Sequence, residues 1–434
     1  MRNTTSIVIE DVENFKVNLL SWAQQFNEVV WFDSNSDFGN YNQNYSKYDV
    51  VLAVEANSIL NCNYENAFEK LKIFQSNIND YIFGYLGYDL KNDIEILHSD
   101  HLNNLGFSDL YFFQPKKLFF LKDKTLEISY LKNHKNEIES DLEEIFRWKH
   151  PERPLREHEI NISKRISKSR YFQKLDNILE YIHRGDIYEV NFCQEFYAEN
   201  TIIDPLSVYQ KLNDISSPPF ATFLKIDDQF LLSASPERFV KKQENQIISQ
   251  PIKGTIKRGK NKLTDNKLKH QLENDLKERT ENIMIVDLVR NDLSKTAIKG
   301  TVQVEELCKV YTFKQVHQLI STVISEVRSE TNPVDIIKSL FPMGSMTGAP
   351  KISAMKIIEE LEDAKRGLYS GAVGYFTPDN DFDFNVVIRS ILYNQTNKYV
   401  SFSVGGAITS KSIIEKEYDE CLVKAKAMKK ALKC

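Results

Sequence analysis

Paired cysteines are missing from this sequence. Its five cysteines, Cys62, Cys193, Cys308, Cys421 and Cys434, are odd in number and far apart, with no C-x-x-C element. That excludes a disulfide scaffold and a cysteine-based zinc or thiol-exchange site, and it favours a reducing compartment. Long apolar runs are missing too. The opening MRNTTSIVIEDVENF carries acidic residues where a secretory signal has an unbroken apolar core, and no stretch approaches a membrane span. We therefore expect a cytoplasmic protein without a membrane partner. An excess of one charge is also missing: 56 Lys and Arg stand against 61 Asp and Glu, a formal net charge of -5. They are interspersed and leave no basic stripe for a phosphate backbone, so nucleic acid is not expected as a partner.

What is there is ordinary globular composition, 41% hydrophobic and 27% charged over 434 residues, enough to bury a large core. Up to about residue 150, short apolar runs (EVVWF, DVVLAVEA, YIFGYLGYDL, DLYFFQPKKLFFL, TLEISYL) alternate with polar turns and read as antiparallel strands. Only NFKVNLLSWAQQF and YENAFEKLKIFQ stand out there as helices. RWKHPERPLREHEINIS is the one plausible linker, which puts a boundary near 155 between a strand-rich N-terminal subdomain (1–155) and the remainder (156–434). Beyond it, SRYFQKLDNILEYIHRGD is helical, while IYEVNFCQEFYAE, FATFLKID, QFLLSASPERFV and QIISQPIKGT alternate like strands. The order is not a regular β-α-β repeat, so the fold class expected is α+β, a layered sandwich.

Several segments could carry chemistry. In DLKERTENIMIVDLVRNDL, Glu278 and Glu281 are three apart and share a helix face. EKEYDECLVKAKAMKKAL repeats the spacing with Glu417 and Glu420, and Lys424 follows on the same face. Two such helices could offer oxygen ligands to a hard cation such as Mg2+; alone, either pair is far more often wet helix surface. The first runs directly into NIMIVDLV, which places it at the rim of a core. In FPMGSMTGAPKISAMKIIEELE, Gly348 and Ala349 lead through Pro350 into an amphipathic helix whose N-terminus could cradle an anion. The spacing from Gly348 to Lys351 excludes a Walker loop. Lys253 in SQPIKGTIKRG could project from a strand end. To act as a nucleophile it must lose its proton, which from an unperturbed pKa costs on the order of 4 to 5 kcal/mol at pH 7, so burial or neighbouring cations would have to offset that. Glu237, Tyr369, Arg389, Gly405 and Gly406 interrupt apolar stretches in ways that suggest a lined pocket. No cysteine sits in a tight Gly-flanked turn as a glutaminase nucleophile would.

Taken in order, SASPERF, PIKGT, DLKERTENIMIVDLVRNDL, FPMGSMTGAPKISAM, GYF with FNVVIRSI, GGAI and EYDECLVKAKA resemble the chorismate-binding enzymes, over about residues 165 to 430. That group holds anthranilate, aminodeoxychorismate, isochorismate and salicylate synthases. The resemblance implies two large antiparallel sheets packed face to face with helices outside, the N-terminal part joining the same sandwich. It implies a magnesium ion at Glu281 and Glu420, with Glu278 and Glu417 as neighbours. It also implies a substrate carboxylate held by Arg389, Tyr369 and the backbone of Gly405 and Gly406, with Lys424 beside the ring carboxylate. Glu237 matches an acid near the leaving C4 hydroxyl, and Thr347 matches a pocket residue of the loop. Lysine as third residue of P-I-x-G-T resembles aminodeoxychorismate synthases, where alanine resembles anthranilate synthases. Lys253 would then add to C2 of chorismate, and ammonia from a separate glutaminase subunit, a class I glutamine amidotransferase, would displace it to give 4-amino-4-deoxychorismate. Anthranilate synthase component I and a non-catalytic chorismate-binding subunit are the alternatives. Two positions depart from the family: Glu189, where aminating members usually have glutamine, and Gln318, where histidine is usual and His317 is displaced by one.

Overall fold

The computed structural model describes residues 1–35, 45–148, 160–314 and 316–433. Most of the expected linker, and with it the boundary near 155, lies outside the described residues. The two helices expected near the N-terminus form as Val12–Trp22 and Ala67–Ile78. A third, Ile138–Phe146, escaped the sequence reading; its nine residues are too few for apolar periodicity to stand out.

Every pairing between the named strands is antiparallel, and the ladder folds back on itself as two layers. The first layer runs from Thr125–Leu131 through Leu110–Lys122, Val50–Cys62, Glu28–Asp33, Phe220–Ile226, Gln229–Ser235, Ser390–Asn394 and Tyr399–Thr409 to Glu189–Ala198. The second runs from Leu110–Lys122 through Ile82–Leu86, Ala372–Phe376, Phe382–Val386, Arg238–Gln243 and Gln246–Gln250 to Val316–Glu326. Val50–Cys62 and Leu110–Lys122 are 13 residues each and serve both layers. Their shared register shifts between Ala56 and Ser58, beside Glu55 at φ 61° and opposite Pro115, a bulge that lets one pair of strands turn from one layer into the other.

Side-chain alternation sorts the core. In the first layer Val30, Ala53, Leu224 and Leu231 point inward between the sheets, whereas their neighbours Val29, Trp31, Leu52, Val54, Phe223 and Leu232 point outward beneath helices Val12–Trp22, Pro205–Ser216 and Lys426–Leu432. Because both faces are covered, these strands read as unbroken apolar runs. A third cluster packs helices Lys168–Arg184, Lys351–Leu361 and Ile414–Lys424 on the Glu189–Ala198 strand.

Two segments expected as single strands are each split by a proline. QFLLSASPERFV becomes Gln229–Ser235 in the first layer and Arg238–Gln243 in the second, so Pro236 and Glu237 lie where the chain crosses between sheets. QIISQPIKGT becomes Gln246–Gln250 and Ile252–Lys257, both paired with Val316–Glu326. Proline has no N–H for the ladder and is confined to such breaks.

Candidate active site

Lys253 is aimed by a backbone irregularity. The register between Ile252–Lys257 and Val316–Glu326 shifts between Ile252 and Thr255, and Gly254 there has φ +85°, with Glu278 and Leu319 packed about 3 Å from where a Cβ would sit. The bulge turns Lys253 toward the start of Glu189–Ala198, where its Nζ donates to Glu189 Oε1 at 3.1 Å. Glu189 is buried, its side chain 1% exposed. Burial works to lower the Lys253 pKa, but Glu189, Glu281 and Glu237 outweigh it and hold the amine above its ordinary value. The expectation of offsetting cations is thus reversed: this site keeps Lys253 as an ammonium.

Glu237, at the crossover between sheets, is buried and its Oε1 accepts from Ser345 Oγ at 2.7 Å. Burial pushes its pKa up to about 7, against smaller opposing effects of Ser345 and Lys253. Ser345 was inside a recognised motif but not singled out, since a serine in a Gly-rich turn carries no signal of its own. Thr347 is fully buried, yet its hydroxyl donates back to the carbonyls of Met343 and Gly344, so it shapes the loop. Gly348 and Ala349 pair as a two-residue strand with Val190 and Glu189. A Cβ on Gly348, at φ +148°, would sit 2.1 Å from the Glu189 carbonyl oxygen. Pro350 is the cap preceding helix Lys351–Leu361 rather than its first residue.

The two acidic helices approach each other. Glu278 and Glu281 lie on Leu276–Ser294, and Glu417 and Glu420 on Ile414–Lys424. Between them stands Lys277, its Nζ 3.7 Å from both Glu281 Oε1 and Glu417 Oε1; its i, i+4 spacing to Glu281 was the overlooked signal. Burial raises Glu281 to about 7 and also raises Glu278. At Glu420 burial is overcome by Lys424, whose Nζ lies 2.7 Å away, and the carboxyl falls below its usual value. Lys424 also donates to the Gly405 carbonyl at 2.8 Å. Glu417 accepts from Ser412 Oγ at 2.8 Å.

Among the described residues no three of His, Cys, Asp and Glu gather into a ready-made metal cage. The donor set nevertheless suits a hard cation, because it offers oxygens only and Glu281 Oε1 is buried without a hydrogen-bond partner. Magnesium typically takes one or two carboxylates and completes its shell with water and substrate oxygens.

The remaining wall is cationic. Arg389, at φ 53°, is half-buried, and its guanidinium has no hydrogen-bond or ion-pair partner among the described residues. Burial lowers its pKa against the influence of Tyr369 and Glu420 nearby. An unpaired guanidinium in such surroundings is costly unless a ligand anion completes it. Tyr369 is buried with its hydroxyl 3.5 Å from Cys193 Sγ. Gly405 lies over Phe192 and Cys193, where a Cβ would meet the Phe192 carbonyl oxygen at 2.3 Å, and a Cβ on Gly406 would come into ordinary contact with Glu417 Oε2 at 3.5 Å and Lys424 Nζ at 3.7 Å. His317 is drawn away to Asp265 at 3.0 Å and Thr312 at 2.9 Å. Gln318 instead lies in the strand beside Thr255.

The two-layer fold carries a pocket walled by an acidic helix pair, a buried lysine and an arginine that has no hydrogen-bond or ion-pair partner among the described residues. The chain belongs to the chorismate binding enzymes, whose family model matches residues 12–430. It is 33% identical to aminodeoxychorismate synthase component 1 of Salmonella typhimurium over 78% of this chain and 73% of that protein. It is also 33% identical to anthranilate synthase component 1 of Acetivibrio thermocellus, over 80% and 74%. A probable chloroplastic aminodeoxychorismate synthase of Oryza sativa is 41% identical over 61% of this chain, which spans only 30% of that protein's length. The crystal structure of anthranilate synthase component I from Streptococcus pneumoniae superposes with a TM-score of 0.78 at 25% identity, covering 87% of this chain and 91% of that one. The α+β sandwich expected from sequence is the fold observed. No helix among the described residues is long and apolar enough to cross a membrane.

Proposed function

We propose that this chain is the aminating component of an aminodeoxychorismate synthase, converting chorismate and ammonia to 4-amino-4-deoxychorismate for para-aminobenzoate and folate synthesis. Ammonia would come from a separate glutaminase subunit, and the setting would be cytoplasmic. The observation that carries the reading is the position of Lys253, a largely buried primary amine hydrogen-bonded to Glu189 and within the influence of Glu237 and Glu281, in a chain whose Arg389, near Tyr369 and Glu420, has no hydrogen-bond or ion-pair partner among the described residues.

Arg389 binds a substrate carboxylate, with Tyr369 and the glycine floor shaping the space around it. Glu237, protonated over much of the range up to about pH 7, acts as general acid. The Lys253 nitrogen bonds to C2 as the ring double bonds shift and the C4–O bond breaks, and Glu237 supplies the proton with which the hydroxyl leaves as water. Ammonia then bonds to C4 while the C2–N bond breaks, Lys253 departs as a neutral amine, and the C4 ammonium returns a proton to Glu237. A magnesium ion held by Glu281 and Glu420, with Glu278 and Glu417 beside them, would offset the charge of acids and dianionic substrate and polarise the ring carboxylate.

Purified protein incubated with chorismate, magnesium and ammonium should yield 4-amino-4-deoxychorismate on chromatographic analysis. Fluorescent anthranilate instead would establish the alternative that the Acetivibrio relative supports. Magnesium-dependent chorismate binding without turnover would establish a non-catalytic subunit.

A further inference from the structure

The cycle above begins from a neutral Lys253, yet the pocket holds this lysine as an ammonium. An ammonium has no lone pair, so a base must remove its proton before C2 can be attacked. Three acids bear on it, and their geometry differs. Glu237 is engaged by Ser345 and has a proton to give. Glu281 leans toward Lys277. Glu189 alone among the described residues is hydrogen-bonded to Lys253, through Oε1 at 3.1 Å. Its other oxygen, Oε2, is buried with no hydrogen-bond partner among the described residues.

The backbone that carries this carboxylate is also held on both sides. Glu189 opens its strand paired with Ala349 on one side and Thr409 on the other. The preceding Tyr188 N–H donates to the Ala349 carbonyl at 2.7 Å, and Gly348 is packed directly on the Glu189 carbonyl. Lys253 is fixed as firmly by the bulge at Gly254. The two backbones that carry donor and acceptor are thus fixed on facing strands, and their side chains meet at hydrogen-bond distance, the reach that proton transfer requires.

We propose that Glu189 is a catalytic residue of this chain, the base that accepts the Lys253 proton through Oε1 as the amine attacks C2. This rests on the proposed function. One N–H bond of Lys253 breaks and an O–H bond forms on Glu189. The freed pair makes the N–C2 bond while the C4 hydroxyl leaves with the Glu237 proton. When ammonia later expels the neutral amine, the Glu189 proton can return to Lys253 and the site is restored. A glutamine could hold Lys253 in place but could not take its proton, so the departure at position 189 gives this chain its own base.

A merely electrostatic Glu189 makes the opposite prediction, and that makes the test decisive. Beyond Glu189, the charged groups facing Lys253 are Glu281 and Glu237, with Glu278 against Gly254 and Glu420 farther along the cleft. If Glu189 only holds the ammonium, Glu189→Gln frees the amine and speeds its addition at pH 7. If Glu189 is the base, the same variant slows it about 10-fold at pH 7, with most of the loss recovered at pH 9. The readout is the Lys253 adduct formed from chorismate and magnesium without ammonia, followed by rapid quench and intact-protein mass spectrometry. Glu189→Asp, which keeps a base, should fall less than Glu189→Gln and keep the wild-type pH profile; it also stands in should the amide variant fail to fold. A Glu189→Gln rate equal to or above wild type at pH 7, or a Glu189→Asp profile shifted to high pH, overturns the assignment while leaving the proposed function intact. A wild-type protein that forms neither adduct nor aminodeoxychorismate rejects the proposed function itself.

Discussion

Glu237 shows how one residue's burial becomes a property of the whole protein. Its carboxyl has an ordinary value of 4.5 in the unfolded chain and about 7 when folded. Between those values the unfolded state holds fewer protons than the folded one, so the contribution of Glu237 to stability is complete below about pH 4.5 and is lost as pH rises through about 7. Glu237→Gln removes the ionisation and nearly keeps the shape. In chemical denaturation the variant should match wild type near pH 4 and exceed it by roughly 1 to 3 kcal/mol at pH 8. Glu281, also raised to about 7, keeps its own share of the slope. A variant no more stable at pH 8 would show that the Glu237 charge is not desolvated as the structure indicates. Such a cost is tolerable only where function needs it, and a carboxylic acid still protonated near neutrality is what a departing hydroxyl needs. Residue type and motif order pointed to Glu237, Lys253 and the four helix glutamates. The directions of their shifts were not legible, because they depend on which charges tertiary packing brings within a few ångströms.

Among the elements, the short strand Gly348–Ala349 does more than the loop that contains it suggests. Its sequence reads as a flexible turn ahead of a helix. In the fold it is hydrogen-bonded to Val190 and Glu189 and presses backbone against backbone, with no room for a side chain at Gly348. Gly348→Ala would place a methyl 2.1 Å from a carbonyl oxygen at φ +148°. The expected result is a loss of about 2 kcal/mol or more, together with a fall in turnover larger than the fall in chorismate affinity, because the displaced backbone is that of Glu189. Thermal melts and steady-state kinetics would check both. Unchanged kcat with only KM raised would mean that the strand positions substrate and not the Lys253 pair. The two proline breaks carry the same lesson, since Pro236 and Pro251 are visible as ladder breakers but not which sheet each half joins.

The whole molecule is one hydrogen-bonded ladder folded into two layers, and this decides what the N-terminal third is for. Strands Glu28–Asp33, Val50–Cys62, Leu110–Lys122 and Ile82–Leu86 lie between Phe220–Ile226 and Ala372–Phe376. Removing them would strip partners from both of those strands and open two apolar edges. A fragment of residues 160–434 should therefore be insoluble or lack cooperative unfolding, although it contains every candidate site residue. A fragment that melts cooperatively and binds chorismate would make the N-terminal part a separable domain.

By itself the sequence determined the class of fold, through the periods of its apolar residues, and the chemistry within reach, through two acid pairs, a lysine and an arginine at recognisable positions. These are local properties, carried by spacings of a few residues. Only the tertiary structure decided that the two acid pairs share Lys277, that Arg389 has no partner among the described residues, and that Lys253 rests on Glu189 as a charged amine. Those facts depend on distances between residues far apart in the chain, which no local pattern encodes. Charge and desolvation act through those distances, so the protonation of each group is settled only when the chain has closed around it.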